Sequence, residues 1–155
     1  MPTSLTILTG SSRGMGAAIA EQLLQPGQVV LGIARQAHPG LAALAAARDA
    51  TAWQWTRDLG NPGPVADELA TWLAAITPDT HAEVTLINNA ALLGRIGPVD
   101  EGDPASIASA LRVGLEAPLL LSAAFVRTTA GWPGRRRILN ISSGLGRRAM
   151  AGSAG

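Results

Sequence analysis

Three short stretches of this chain hold residues whose types and spacing could do chemistry: Thr9-Gly10-Ser11-Ser12-Arg13-Gly14-Met15-Gly16, Asn88-Asn89-Ala90 and Ile141-Ser142-Ser143. The first has the pattern TGxxxGxG, which differs from the common GxGxxG. It lies between the apolar run Leu5–Leu8 and the alanine-rich run Ala17–Leu24, an order that reads as strand, glycine turn, helix. A helix begins with unpaired N–H groups and a partial positive charge, so an anion is stabilised there. Glycine lets the chain turn sharply and lets a phosphate approach the backbone without meeting a Cβ. Gly10, Ser12, Arg13, Gly14, Met15 and Gly16 are therefore a candidate cradle for the pyrophosphate of a dinucleotide. A turn that only packs a helix against a strand has the same residues, so the stretch alone leaves both readings open.

A second candidate sits at the end of the next apolar run, Val29–Ala34, which stops at Arg35. In a dinucleotide fold this strand finishes beside the adenosine ribose. A carboxylate there would bond the 2′-hydroxyl of NAD, and an arginine would pair with the 2′-phosphate of NADP. The chain has Arg35 and no acid, and Arg13 could close on the same phosphate from the glycine turn. The planar guanidinium suits a phosphate bidentately. Two merely solvated arginines are the plainer alternative.

The elements that must position these groups alternate along the chain. Strands are expected at Leu5–Leu8, Val29–Ala34, Thr51–Thr56, Val84–Ile87 and Ile138–Ile141. Helices are expected from Ala17 to about Gln25, within Pro39–Ala50, over Val65–Ile76, and from Asp103 to about Thr129. Asp103-Pro104 reads as an N-cap followed by proline at the first helical position, and Pro118 should bend or break that long helix. Trp53, Trp55 and Trp72 are placed in the core, and residues 92–102 in a loop. Arg135-Arg136-Arg137 reads as a solvated loop end before the fifth strand. Five strands alternating with helices predict an α/β, Rossmann-like doubly wound parallel sheet with right-handed crossovers. Residues 1–155 form one NAD(P)-binding domain in this reading.

The three motifs, in this order, resemble the short-chain dehydrogenase/reductase family, from about Thr3 to the last residue, and most nearly its sepiapterin- and benzil-reductase-like carbonyl reductases. The resemblance implies the strand order 3-2-1-4-5, the cofactor NADP(H) and a small-molecule carbonyl substrate. It implies that Asp58 bonds the adenine amine, that Leu59 packs on the ring, and that Asn89 and Ala90 line the ribose. It implies that Ser143, with Ser142 beside it, bonds the substrate carbonyl. Where the family has glycine after Asn-Asn-Ala this chain has Ala91. Where the family has an asparagine within Val-Asn-Leu, holding a water of the proton relay, this chain has Val113-Gly114-Leu115. The family's general acid is a tyrosine in a Tyr-x-x-x-Lys helix, yet this chain contains no tyrosine and no lysine. The pattern would place that tyrosine just beyond the interval Ser143–Gly155. The expectation is a chain truncated before its acid, lacking the family's C-terminal strands, inactive as written and marginally stable. Full-length members are homo-oligomers, an arrangement not expected to survive intact here. A non-catalytic NADP(H)-binding module or sensor is the alternative.

Composition narrows the classes further. The formal net charge of +1 points to neither nucleic acid nor an anionic membrane surface. There is no cysteine, hence neither disulfide framework nor thiolate metal site. His38 and His81 read as solvated loop histidines. No uninterrupted apolar run reaches the length of a bilayer span, so a cytoplasmic protein without membrane or nucleic-acid partners is expected.

Overall fold

The computed structural model describes residues 3–94, 97–144 and 147–148. Its strands are β1 (Ser4–Thr9), β2 (Val29–Ala34), β3 (Thr51–Thr56), β4 (Glu83–Asn88) and β5 (Arg135–Asn140). Its helices are α1 (Gly14–Leu23), α2 (Leu41–Ala47), α3 (Pro62–Ala74), α4 (Pro104–Leu111) and α5 (Ala117–Thr128). The strands form one sheet in the order β3-β2-β1-β4-β5, every pair parallel. Parts of the expected loop, residues 95 and 96, and the stretch 149–155 lie outside the described residues.

The layering follows from the two-residue period of a strand. Leu5 and Ile7 of β1, Leu31 and Ile33 of β2, and Val84 and Leu86 of β4 join α3 and α5 in one core with Leu69, Leu73, Leu121 and Phe125. Leu8, Val30 and Ile87 point to the opposite face, against Ala20 and Leu24 of α1 and Leu41 and Ala45 of α2. Both faces of the central strands are covered, so these strands read as near-continuous apolar runs. The order of winding reverses between β1 and β4, and their carboxyl ends open a crevice, the usual ligand position in such sheets.

Several elements differ from the sequence reading, each for a local reason. β5 begins at Arg135, because Glu83 of the neighbouring β4 lies 3.2 Å from Arg137 and 4.0 Å from Arg135 and draws the arginines into the strand. Trp53 is 54% exposed, since β3 is an edge strand. Trp55 takes the covered position, edge-on to Trp72 with ring centroids 5.6 Å apart. His81 is buried rather than solvated, and His38 is half-buried and bonded through both ring nitrogens.

The long helix does not break at Pro118. It passes through a π-helical turn at Arg112–Glu116, one turn upstream. Proline has no N–H to donate, and its ring presses on the carbonyl four residues back, here Gly114. The wider π turn absorbs that conflict. Asp103 caps the helix as expected, its Oδ2 accepting from the Ser106 N–H at 2.8 Å. The whole helix, Pro104–Thr128, is 25 residues and by length and composition apolar enough to cross a bilayer, although Arg112, Glu116 and Arg127 interrupt its apolar runs. One face of it is committed elsewhere, with Ala117, Leu121, Ala124 and Phe125 buried against α3 and the sheet. Its outer Leu111, Leu115, Leu119 and Val126 are exposed, as are all six residues of the edge strand β5.

Candidate dinucleotide site

The crevice at the carboxyl ends of β1, β2 and β4 is a cleft of about 920 Å³. Its floor is the turn between β1 and α1. Gly10 and Gly14 adopt positive φ, +70° and +55°, where a side chain would be strained. The Gly10 N–H donates to the Ile33 carbonyl at 2.8 Å, which ties the turn to β2. A Cβ on Gly16 would lie 2.0 Å from the Gly10 carbonyl oxygen and 2.6 Å from Asn89 Nδ2. Helix α1 can therefore start this close to the turn only with glycine at that position. Arg13 occupies the N-cap position without a side-chain cap, and no acid lies in the first turn. The helix N-terminus thus faces the cleft with its N–H groups unpaired by any capping side chain.

Thr9 closes β1 onto β4, a role the sequence reading missed. Its Oγ1 accepts from the N–H of Asn89 at 3.0 Å and from the N–H of Ala90 at 2.9 Å. Asn89 returns the contact, its Nδ2 donating to the carbonyls of Thr9 at 3.0 Å and Gly10 at 3.3 Å. A hydroxyl at the last position of β1, at the entry to the glycine turn, was the available signal. The amide motif thus holds neighbouring strands together. The preceding Asn88 is buried and bridges β4 to β5 and α5, donating to Asn140 Oδ1 at 2.8 Å and Ser122 Oγ at 3.3 Å.

The walls gather residues remote in sequence. Gly10, Ser12, Arg13, Gly14, Met15 and Gly16 line the cleft, with Arg35 after β2, Asp58 and Leu59 after β3, and Asn89 and Ala90 after β4. Ala91 lines it too, and Ser109 and Val113 bring the long helix to its far side. The Leu59 side chain belongs mainly to the core, only 5% exposed, so it meets the cleft with an edge. Asp58 Oδ1 accepts from the Gly60 N–H at 2.8 Å, which makes the local turn and leaves the other oxygen outward. Ser143 lies exposed just past β5, outside the cleft lining. The Ile141 N–H donates to the Asn88 carbonyl at 2.9 Å and carries the β4–β5 pairing up to that point.

Three arginines stand at the mouth, and they are not equivalent. Arg57 is held by Glu68 in a bidentate pair, Nε to Oε2 at 2.7 Å and Nη2 to Oε1 at 2.6 Å. That hydrogen bonding raises the guanidinium from its ordinary value and lowers the Glu68 carboxyl. Arg13 and Arg35 make no ion pair among the described residues. A cleft with a helix N-terminus at its floor and two uncommitted guanidiniums at its edge fits a polyanion.

The chain belongs to the short chain dehydrogenase family, whose profile matches residues 4–155. It is 30% identical over 146 residues to a benzil reductase ((S)-benzoin forming) of Bacillus cereus, covering 94% of this chain and 59% of that protein. Among solved structures it is similar to a short-chain dehydrogenase/reductase from Burkholderia vietnamiensis, at 42% identity and a TM-score of 0.86. That match covers 99% of this chain and 69% of the other. A metagenomic short-chain oxidoreductase in complex with NADP matches at 32% identity and a TM-score of 0.83, with 97% of this chain and 66% of that one covered. The chain therefore spans about three-fifths of the length of the benzil reductase.

Proposed function

We propose that this chain is the cofactor-binding part of an NADPH-dependent carbonyl oxidoreductase. The observation that carries the reading is the pairing of an open helix N-terminus with two arginines at the cleft edge, Arg13 and Arg35, which have no acidic partner among the described residues. The first suits the pyrophosphate and the second the extra 2′-phosphate that separates NADP from NAD. A bound NADPH would supply a hydride to a carbonyl carbon. The roles of the chain's own residues follow from their places. Gly10, Ser12, Gly14, Met15 and Gly16 bind the pyrophosphate through backbone N–H groups, and the Gly14 Cβ position has nothing within 4 Å to obstruct it. Arg13 and Arg35 hold the 2′-phosphate. Asp58 and Leu59 flank the adenine, and Asn89 with Ala90 flanks the nearer ribose. Ser143, beyond β5, donates a hydrogen bond to the substrate carbonyl. The likeness to the NADP complex and to benzil reductase supports this assignment. A small carbonyl compound is the substrate class, and the cytoplasm is the compartment where NADPH is met.

A second reading, an NADP(H)-binding module without catalysis, draws on one observation. The chain has neither tyrosine nor lysine, and its long helix carries Gly114 where a water-holding amide would sit. Calorimetric titration with NADPH and NADH, followed by NADPH oxidation with benzil as the carbonyl, tests both readings. Tight NADPH binding with turnover supports the reductase and overturns the module, and binding without turnover fits both, since this chain has neither tyrosine nor lysine. Absence of NADPH binding overturns both.

A further inference from the structure

The loop that carries Arg35 is pinned at a single residue, His38. Between Ala34, whose carbonyl accepts from the Arg57 N–H at 2.8 Å, and His38, the residues Arg35, Gln36 and Ala37 are all exposed. His38 is held on every side. Its N–H donates to Gln54 Oε1 of β3 at 2.6 Å, and its carbonyl accepts from Gln54 Nε2 at 3.3 Å. Its ring Nδ1 lies 2.7 Å from the Pro39 carbonyl oxygen, and its Nε2 lies 3.0 Å from Glu21 Oε1 of α1. Both ring partners are acceptors. The ring thus reaches one acceptor in its own loop and one on α1. Glu21 is fixed from behind, because Arg48 at the end of α2 donates through Nη1 to the Glu21 carbonyl.

We propose that His38 is a positioning residue for Arg35 and so sets the preference for NADP(H) over NAD(H). The inference rests on the cofactor reading above. The His38–Glu21 clasp ties the loop to α1, the same helix whose N-terminus faces the pyrophosphate. With the clasp closed, Arg35 and the helix end keep the spacing that separates the 2′-phosphate of the cofactor from its pyrophosphate. The charged groups facing the ring are Glu21 from α1 and, through the Glu21 backbone, Arg48 from α2. β3 contributes the neutral Gln54.

The test is NADPH and NADH binding by calorimetry at a single pH, on the wild-type chain, His38→Phe and His38→Gln. His38→Phe should bind NADPH about five-fold more weakly than wild type, the scale of one partly exposed bond. His38→Gln, which keeps a donor for Glu21, should recover most of the affinity. NADH binding should be the same in all three. Wild-type NADPH affinity in a folded His38→Phe overturns the inference, as does an equal loss of NADH affinity. A wild-type chain that binds no NADPH overturns the cofactor reading itself.

Discussion

Replacing Gly16 by alanine should separate α1 from the turn it rests on. The new Cβ would lie 2.0 Å from the Gly10 carbonyl oxygen and 2.6 Å from Asn89 Nδ2, where real contacts do not fall below 3.0 Å. The helix must therefore back away by about 1 Å along that contact. Neither obstacle is the far end of a flexible side chain. One is backbone in a positive-φ turn, and the other is an amide bonded to the Thr9 and Gly10 carbonyls. Those bonds are already 3.0 and 3.3 Å long, so the shift removes one or both. Helix propensity favours alanine by about 1 kcal/mol. Overpacking against rigid atoms costs about 1–3 kcal/mol, and a lost bond from a buried group costs about 1–3 kcal/mol more. The net expectation is a loss of about 1–5 kcal/mol, a large share of the stability of a small domain. Urea unfolding followed by tryptophan fluorescence measures it, with Gly14→Ala as the comparison. Gly14 has open space around it and a φ of +55°, so only backbone strain of about 1–2 kcal/mol is expected there. A Gly16→Ala protein as stable as wild type, or more stable than Gly14→Ala, would refute the close-contact argument.

Other outcomes follow from the same geometry. Thr9→Val removes the oxygen that accepts from two N–H groups, and should cost about 2 kcal/mol or more in the same unfolding assay. Arg35→Ala should weaken NADPH binding about tenfold, the worth of one charge-assisted bond, and leave NADH binding unchanged. Arg57→Ala should alter neither, because that guanidinium is committed to Glu68; equal losses in the two variants would argue against an Arg35–phosphate contact. Burial lowers the His81 imidazole below its ordinary 6.5. The unfolded chain then takes up the proton first, so the contribution of His81 is complete above pH 6.5 and declines as pH falls from there towards the lowered folded value. Melting temperatures from pH 5 to 8 should show this slope in wild type and a flatter one in His81→Gln; equal slopes would remove His81 as the cause.

The sequence by itself determined the parts of this protein that depend on local pattern. Apolar runs of the right length made β1, β2 and β4 legible, and Asp103-Pro104 marked a helix start that the cap confirms. TGxxxGxG located the turn at the floor of the cleft. The alternation of strands and helices, with the resemblance it supported, led to the sheet order that is observed. Only the tertiary structure decided what depends on a neighbour remote in the chain. Arg57 and Arg35 follow the ends of adjacent strands in much the same way, yet among the described residues Glu68 claims one and no acid claims the other. Arg135 and Arg137 looked like a loop end until Glu83 appeared on the neighbouring strand. His38 and His81 looked solvated because their partners, Glu21 with Gln54 and Thr3, lie 17, 16 and 78 residues away. Pairing distances of that kind carry no periodic signal, so residue type can suggest which groups are able to meet, and only the fold brings them together.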